Sequence, residues 1–450
     1  FQKILEGALN GKKESIQQQI ANRVNISLPD IISLSKMLDR PIARDGRKFD
    51  VSLLWMVVLM TVFSLIMIYS ASIAYAASEG GSQFSFVSKQ AMFILFTVAI
   101  CLPLFLLKMS FWRRIIPFYF AVSGLLLLLV LFVGREINGA TRWIHIGPLN
   151  LQPTEFFKLA TVLYLSSLFT RREEMLRDLD SLGWSSLFTG IGDLVCSPFK
   201  SDAWVRVKER FRKFKTLILP IMLVAVGLVL IMGQPDFGSF VVIVVITMGM
   251  LFLAGFPWKY FAVLVATVVS GMGLLILAAP YRMARVAAFL DPWSDPLGKG
   301  YQLTHSLMAI ARGGWFGEGL GASLEKRFYL PEAHTDFIFA VIGEEFGFFG
   351  MLVLVFCYGW LVWRAFSIGK QARDSGLMFS AYIANGIGIW IGIQSFFNIG
   401  VNIGILPTKG LTLPFMSYGG SAVFIMLVCI TLLLRIDYEN RQKMRGYSVE

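Results

Sequence analysis

Long apolar runs separated by short polar segments fill most of the chain between residues 51 and 436. A helix that crosses the ~30 Å hydrocarbon layer of a bilayer needs ~20 mostly apolar residues, because each helical residue rises about 1.5 Å. This pattern predicts an all-α integral membrane protein, a polytopic bundle of about ten transmembrane helices. The ten candidate spans are 51–76, 89–107, 115–134, 153–170, 216–233, 236–256, 258–281, 334–363, 376–405 and 418–436.

Three of these spans are less regular than the others. The fourth is short and carries Glu155 and Lys158, only the turn at Pro235 separates the fifth from the sixth, and the ninth is rich in glycine. Composition supports the membrane assignment, since 56% of the residues are apolar, 16% are charged and the mean hydropathy is +0.66. A water-soluble core of this composition would have too few polar residues to cover its surface.

The net charge of +12 is unevenly distributed among the segments that connect the spans. If both termini are cytoplasmic, the inner segments hold 30 of the 41 Lys and Arg residues but 17 of the 29 Asp and Glu residues. An excess of Lys and Arg marks the cytoplasmic side of membrane proteins. We therefore predict an even number of crossings with both termini inside, the first span acting as the insertion signal.

Three polar segments fall on the predicted inner side. The N-terminal tail, 1–50, reads as an amphipathic helical segment in which Pro29 starts a second helical turn, and 437–450 forms a short C-terminal tail. The loop 171–215 ends in VRVKERFRKFK, where basic residues alternate with aromatic ones. Basic segments next to a span bind anionic lipid headgroups more often than nucleic acid, so no nucleic-acid partner is expected.

The segment 282–333, between spans seven and eight, is predicted to be a large structured outer loop. It contains two Asp-Pro turns and the glycine-rich GGWFGEGLGAS, and its aromatic content argues against disorder. Loops longer than ~12–15 residues are usually functional when they are ordered. The three histidines, His145, His305 and His334, also fall on this side. We therefore expect chemistry or binding at the outer face.

Ionisable residues inside spans are costly and are candidates for function. Glu155 and Lys158 are three residues apart on one face of span four, where they can neutralise each other. Asp236 follows Gln234-Pro235 at the start of span six, where a carboxylate can cap the free N–H groups of the helix. An alternative to a functional role is a buried ion-pair cluster that ties spans four and six together.

Span eight begins with Glu332, His334 and Asp336 in its predicted first turn and carries Glu344 and Glu345 deeper in the helix. The first three residues fit either a functional site or a helix cap with polar neighbours. Two adjacent carboxylates inside an apolar helix are harder to explain as structure alone. They require partners or a protonated state.

The run DPWSDPLGKGYQ, residues 291–302, holds a carboxylate in a rigid turn with flexible exits. An Asp in such a turn is suited to accept a proton from an attacking hydroxyl group. The motif alone is weak evidence, because Asp-Pro turns are common and usually have only a structural role.

Four stretches of the chain carry a joint pattern: NGATRWIHIGPLNLQPTEFFKL (138–159), GQPDFGS (233–239), the outer segments within 295–347, and NIGVNIGILPTKGLTLPFMSYGGSA (398–422). Together they resemble the SEDS family (shape, elongation, division and sporulation proteins). These polytopic enzymes polymerise peptidoglycan glycan strands from lipid II. The PTKGLTLP segment, with Lys409, is more similar to the cell-division members than to the elongation members.

The resemblance assigns residues to roles. Asp295 matches the family's essential acidic residue and is expected to be the general base, whereas Asp291 is interpreted as a turn residue. The resemblance also implies an inverting transfer onto the 4-hydroxyl of a terminal GlcNAc, with the pyrophosphate leaving group held by cations. The expected substrate-binding residues are Arg142, Glu155, Lys158, Asp236, Gln302, Glu332, His334, Asp336, Lys409 and Ser417.

The resemblance further implies partners and a location. We expect a class B penicillin-binding transpeptidase and other division proteins as partners, at the septum of a bacterial cytoplasmic membrane. No metal site is predicted, although a divalent cation (Mg²⁺ or Mn²⁺) at the pyrophosphate stays open. The alternatives are a lipid II flippase, an elongation-type polymerase and a scaffold that positions a partner.

Overall fold

The computed structural model describes residues 48–78, 82–137, 140–146, 149–173, 221–408 and 410–448. The chain divides into two units, 1–48 and 49–450, and the fold below is that of the second unit. The predicted helical tail with its turn at Pro29, most of the basic loop 171–215, and Lys409 lie outside the described residues.

Each of the ten predicted spans coincides with an α-helix, and two further helices lie between spans seven and eight. Their apolar sequences favour helices because a helix satisfies its own backbone hydrogen bonds in an apolar environment. In chain order the helices are α1 (Val51–Ser78), α2 (Ser85–Leu106), α3 (Met109–Val133), α4 (Pro153–Arg171), α5 (Ile221–Gly233), α6 (Phe237–Leu253), α7 (Trp258–Leu277), α8 (Pro280–Leu290), α9 (Tyr301–Gly313), α10 (Ile338–Asp374), α11 (Met378–Asn402) and α12 (Gly420–Met444).

Five of the described helices are long and apolar enough to cross a membrane, namely α1, α2, α3, α10 and α12. Helices α5, α6 and α7 are apolar over shorter stretches. These lengths support a mostly helical, multi-pass membrane protein. The count of ten crossings stays a prediction.

The helices differ in how much of their surface the rest of the protein covers. Helix α4 is buried over most of its length, including Glu155 and Lys158, whereas α2 exposes Leu95, Leu102 and Leu106. Lipid tails are as apolar as leucine, so apolar side chains can remain uncovered at the edge of a membrane bundle. This contrast places α4 at the centre of the bundle and α2 at its edge.

The glycines of the ninth span allow close packing of α11 against the central helices. A Cβ atom at position 386 would lie 2.8 Å from a methyl carbon of Val162 on α4, and side chains as large as Trp390 are fully buried beside it. Small residues let helix backbones approach closely in membrane proteins. The glycine content that made this span irregular in the sequence is therefore a packing feature.

The all-α prediction is wrong for the three strands at 135–137, 140–146 and 149–151, which form an antiparallel sheet before α4. Strand β1 (Arg135–Ile137) pairs with β2 (Ala140–Ile146), which pairs with β3 (Leu149–Leu151). Ile144 lies opposite Leu151 and is buried. The sequence carries an Asn-Gly signal between β1 and β2, a frequent hairpin turn, which the search for apolar runs does not detect.

The predicted outer loop has secondary structure of its own. Helix α8 follows α7 after Ala279, and the Asp-Pro turns connect α8 to α9. Further turns connect Gly314 to Phe337, immediately before α10. The expectation that 282–333 is structured is thus met by two helices joined by turns.

Candidate functional site

Asp295 lies in a tight, exposed turn between α8 and α9. Its carbonyl oxygen accepts hydrogen bonds from the N–H groups of Gly298 (3.2 Å) and Gly300 (3.0 Å), and its carboxylate Oδ2 accepts one from the N–H of Lys299 (3.0 Å). A Cβ atom at position 298 would lie 2.3 Å from Oδ2, so glycine leaves room for the carboxylate. The turn therefore holds the carboxylate in place while leaving it open to solvent.

Asp291, in the preceding Asp-Pro pair, has a different role. It caps the end of α8, with its N–H bonded to the carbonyl of Ala287 (3.1 Å) and its own carbonyl accepting the Ser294 hydroxyl (2.7 Å). Within the described ranges its carboxylate makes no hydrogen bond. These backbone bonds fit its interpretation as a turn residue. Gln302 lies exposed in the first turn of α9.

Glu155 and Lys158 form the ion pair that their spacing predicts. The Lys158 Nζ donates to Glu155 Oε1 (2.7 Å) and to Gln394 Oε1 on α11 (3.1 Å), and it lies 5.6 Å from the ring centre of Trp390. Lys158 is fully buried and Glu155 is 3% exposed. The second carboxylate oxygen of Glu155 is buried without a hydrogen-bond partner.

The structure contradicts the alternative interpretation, an ion-pair cluster that ties spans four and six together. Among the described residues Lys158 forms no ion pair with Asp236 and bonds instead to Gln394, so the link runs to α11. Asp236 caps α6, as predicted, by accepting the N–H of Ser239 (3.2 Å) at Oδ1. Its Oδ2 is buried without a hydrogen-bond partner.

Arg142 projects from β2 towards the turn that joins α5 to α6. Its guanidinium donates to the carbonyl oxygens of Pro235 (2.6 Å) and Gln234 (3.5 Å). A Cβ atom at position 410 would lie 3.8 Å from Arg142 Nη1 and 3.1 Å from Asp336 Oδ2. The segment next to Lys409 therefore approaches both charged groups.

The sequence predicts that the first turn of the helix holds Glu332, His334 and Asp336. This prediction is wrong, because α10 begins at Ile338. The three residues occupy irregular turns before it, where Glu332 has a left-handed backbone (φ 55°). Burial raises the pKa of Asp336 to about 7, Glu332 and Asp236 add to the rise, and Arg142 opposes it. Asp336 is thus a carboxyl group that can be neutral near physiological pH.

Hydrogen bonds join this pre-helix segment to residues 410–419. The Asn398 side chain donates to the carbonyls of Asp336 (2.8 Å) and Leu411 (2.6 Å), and the buried Ser417 hydroxyl donates to the carbonyl of Thr335 (2.6 Å). The ring of His334 lies 5.7 Å from that of Tyr418. Ser417 therefore holds the segment before α10 against residues 410–419.

Seven of the predicted site residues therefore fall into two groups. One, which we call the central polar cluster, is buried or half-buried: Arg142, Glu155, Lys158, Asp236 and Asp336, with Gln394 linking Lys158 to the carbonyl of Thr412 (2.9 Å). The other is the Asp295 turn with Gln302. Within the part of the chain that the structure describes, no hydrogen bond or ion pair connects the two groups.

Sequence reasoning missed Gln394 and Trp390, which complete the environment of Lys158. The Trp390 Nε1 donates to Gln394 Oε1 (2.7 Å), so the two side chains form one network around the ammonium group. A signal was present, since an amide side chain within an apolar span is itself unusual. No group of three or more His, Cys, Asp or Glu side chains suited to a metal ion occurs in the described residues.

Comparisons with known proteins agree with the sequence resemblance. A family model described as cell cycle protein, FtsW/RodA/SpoVE, matches residues 51–442. A protein of Neisseria gonorrhoeae named "Probable peptidoglycan glycosyltransferase FtsW" is 70% identical over 415 residues, covering 92% of this chain and 90% of the relative. A protein of Aromatoleum aromaticum with the same name is 44% identical over 407 residues, covering 89% and 90%.

Solved structures with the same fold also support the family assignment. One is described as "Structural coordination of polymerization and crosslinking by a peptidoglycan synthase complex"; it is 26% identical, with a TM-score of 0.64, and the match covers 87% of this chain and 98% of that one. The rod shape determining protein RodA of Thermus thermophilus is 25% identical, with a TM-score of 0.57, and the match covers 88% and 97%. The chain described here belongs to the FtsW/RodA/SpoVE family, the SEDS proteins, and its sequence is similar to members named FtsW.

Proposed function

We propose that Asp295 is the general base of this membrane-embedded peptidoglycan glycosyltransferase, which polymerises lipid II into glycan strands during septal wall synthesis. The observation that carries the proposal is the Asp295 turn itself. Its carboxylate is fixed by the Lys299 N–H at one oxygen and is exposed to solvent. A base must be both positioned and reachable by the hydroxyl group that it deprotonates.

The reaction transfers the growing glycan from its undecaprenyl pyrophosphate to the 4-hydroxyl of the terminal GlcNAc of a second lipid II. The hydroxyl oxygen forms a bond to the anomeric carbon while the bond from that carbon to the pyrophosphate oxygen breaks, which inverts the configuration. Asp295 takes the hydroxyl proton, and the pyrophosphate leaves with the bonding electrons. A carboxylate is a general base that can accept that proton.

The central polar cluster is proposed to hold the pyrophosphate end of the substrate. Arg142 is the best placed cation, since its guanidinium is partly exposed and bonded only to backbone carbonyls among the described residues. Lys158 is fully buried and already paired with Glu155, so we assign it a supporting role. The raised pKa of Asp336 fits this arrangement, because a neutral carboxyl group does not repel a phosphate.

The remaining roles rest on the resemblance. Lys409 is proposed as a second cation at the pyrophosphate, with a divalent cation as the alternative, and Gln302, Glu332 and His334 as contacts to the sugars. The ten crossings, the cytoplasmic termini and the septal location belong to the same proposal. A cross-linking transpeptidase is the proposed partner, and the similarity to a peptidoglycan synthase complex that coordinates polymerization and crosslinking supports it.

Lipid II transport across the bilayer is the second candidate function. The buried Glu155–Lys158 pair within α4 favours it, because charged residues inside membrane helices mark substrate and ion pathways in transporters. A purified protein in vesicles with fluorescent lipid II separates the two functions. Long glycan product indicates a polymerase, whereas label that crosses the bilayer without product indicates a flippase.

The same assay tests Asp295. Polymer from Asp295→Ala should fall by at least ~100-fold, the typical contribution of a general base. Asp291→Ala is the matched control, one Asp-Pro turn away, and should retain most of the activity. Equal loss in both variants would remove the distinction between the two turns, and normal polymer from Asp295→Ala would remove Asp295 from the base role.

A further inference from the structure

Helix α10 is interrupted at Gly347, whose backbone is left-handed (φ 67°, ψ −165°). The glycine-rich segment 314–319 lies against this break. The N–H groups of Glu318 and Gly319 donate to the carbonyls of Glu344 (3.0 Å) and Glu345 (3.1 Å). In the other direction, the N–H groups of Phe348 and Phe349 donate to the carbonyls of Gly314 (2.9 Å) and Trp315 (3.2 Å), completing four bonds across the break. A break inside an apolar helix is tolerated where other parts of the protein satisfy its backbone groups.

The fit between this segment and α10 requires glycine. A Cβ atom at position 317 would lie 2.2 Å from the carbonyl oxygen of Glu345, and one at position 313 would lie 1.9 Å from that of Gly343. Neither distance is compatible with a side chain. The segment 314–337, which joins α9 to α10 and which we call the outer segment, therefore contacts α10 through backbone on both sides and has little room to shift.

Buried side chains strengthen the same contact and supply the partners that the two adjacent carboxylates require. The Lys326 Nζ donates to Glu345 Oε1 (2.6 Å) and to Ser70 Oγ on α1 (2.8 Å), and the Ser70 hydroxyl donates to the same carboxylate oxygen (2.7 Å). Glu345 is 1% exposed and Lys326 is 8% exposed. This triad joins the outer segment, α1 and α10.

The neighbouring carboxylate, Glu344, holds the outer segment at two further places. It accepts the Ser323 hydroxyl (2.5 Å) and the N–H of Leu324 (2.8 Å), and the Arg312 guanidinium at the end of α9 lies 3.7 Å from it. Glu344 is fully buried. The last turn of α9 is thus attached to α10 by charge and by backbone packing at Gly313.

The other end of α9 carries the Asp295 turn. Helix α9 begins at Tyr301, directly after Gly300, whose N–H is bonded to the Asp295 carbonyl (3.0 Å). A helix of 13 residues spans about 20 Å at 1.5 Å per residue. Since a helix is stiff over that length, fixing its far end to α10 also limits the movement of Asp295.

We propose that Lys326 and Glu345 are positioning residues for Asp295, acting through the outer segment and α9. The proposal rests on the proposed role of Asp295 as the base. Removing one member of a buried ion pair leaves an uncompensated charge, which weakens the structure around it. If the outer segment loosens, the carboxylate leaves its reactive position, and small displacements of reacting groups cost large factors in rate.

The test combines steady-state kinetics with hydrogen exchange of the reconstituted full-length protein, using lipid II as substrate. Lys326→Met should lower kcat at least about tenfold. KM for lipid II should change less than about twofold, because Arg142, the proposed pyrophosphate contact, makes no bond to Lys326 among the described residues. The amides of Glu318, Gly319, Phe348 and Phe349 should exchange faster, whereas those of α11 should not.

Arg364→Met is the matched control, because Arg364 forms a largely buried ion pair with Asp50, and within the described ranges neither side chain bonds to the segment 314–337. It should leave both kcat and the exchange of those four amides unchanged. If Lys326→Met fails to fold, Ser70→Ala replaces it in the test. Ser70→Ala removes one hydroxyl of the triad and should give a smaller change of the same kind. Unchanged kcat despite faster exchange, or a lower kcat without faster exchange, would overturn the proposal.

Asp295→Ala separates this proposal from the proposed function. It should abolish turnover without changing exchange at Glu318 and Gly319, because its side chain makes no contact with that segment among the described residues. Full turnover in Asp295→Ala would refute the base role, whereas normal exchange and normal turnover in both Lys326→Met and Ser70→Ala would refute positioning alone.

Discussion

The central polar cluster and the Asp295 turn place charged groups in opposite environments. Lys158 is fully buried, and its charge is neutralised by Glu155 and hydrogen-bonded to Gln394. Asp295 is exposed, and only one of its carboxylate oxygens is held, by a backbone N–H. A charge whose bonds are filled stabilises an arrangement, whereas a charge with an open oxygen can exchange a proton with substrate. The difference fits the proposed roles, which are a supporting role for the buried Lys158 and proton transfer for the exposed Asp295.

The largest expected effect on stability is that of Lys158→Met. This change leaves the buried Glu155 carboxylate unpaired, which should destabilise the protein by about 3–5 kcal/mol. Thermal unfolding of the purified protein measures it. Asp295→Ala, at an exposed position, should change stability by less than about 0.5 kcal/mol. Similar stability losses in both variants would mean that the two regions do not differ in the way described.

Gly298→Ala tests whether activity depends on the geometry of the Asp295 turn. The added Cβ atom would meet Asp295 Oδ2 at 2.3 Å, so the carboxylate must move. Turnover of lipid II should fall about tenfold or more, with little change in the thermal unfolding midpoint. Gly124→Ala on α3 is a matched control, because nothing lies within 4 Å of its added Cβ. Wild-type turnover in Gly298→Ala would show that the observed turn geometry is not needed for activity.

The third expected effect is a change in the pH dependence of stability. The folded protein holds a proton on Asp336 up to about pH 7, whereas the unfolded chain releases it near its ordinary pKa of 3.8. Stability contributed by this group should therefore fall as pH rises from about 4 to 7 and stay constant above that. Asp336→Asn should remove this decline, as measured by thermal unfolding between pH 5 and pH 8. An identical slope in both proteins would contradict the raised pKa.

Much of the fold was accessible from the sequence because membrane helices are encoded by local composition. Each predicted span coincides with a helix, and two local features, the Asp236 cap and the Glu155–Lys158 pair, were predicted correctly. The sheet was missed because its strands are short. The left-handed turn at Gly347 was missed because a glycine in an apolar run gives no sign of the backbone that it adopts.

The partners of the two adjacent carboxylates could not be predicted for a different reason. Glu345 bonds to Ser70, 275 positions earlier in the chain, and to Lys326 in the outer segment. Only the packing of α1 against α10 and the docking of the outer segment bring these groups together. Local patterns show that a buried carboxylate needs a partner, but the tertiary fold decides which one. The roles of Lys409 and of the other substrate-binding residues stay predictions.

The most direct test of the central claim is the rate of glycosidic bond formation in Asp295→Asn with lipid II already bound. Asparagine keeps the size of the side chain and can still accept the N–H of Lys299, but it cannot take the hydroxyl proton. We predict that this variant binds lipid II with an unchanged Kd and forms the bond at least ~100-fold more slowly. Bond formation within about threefold of the wild-type rate, a difference under 1 kcal/mol, would contradict the assignment of Asp295 as the base.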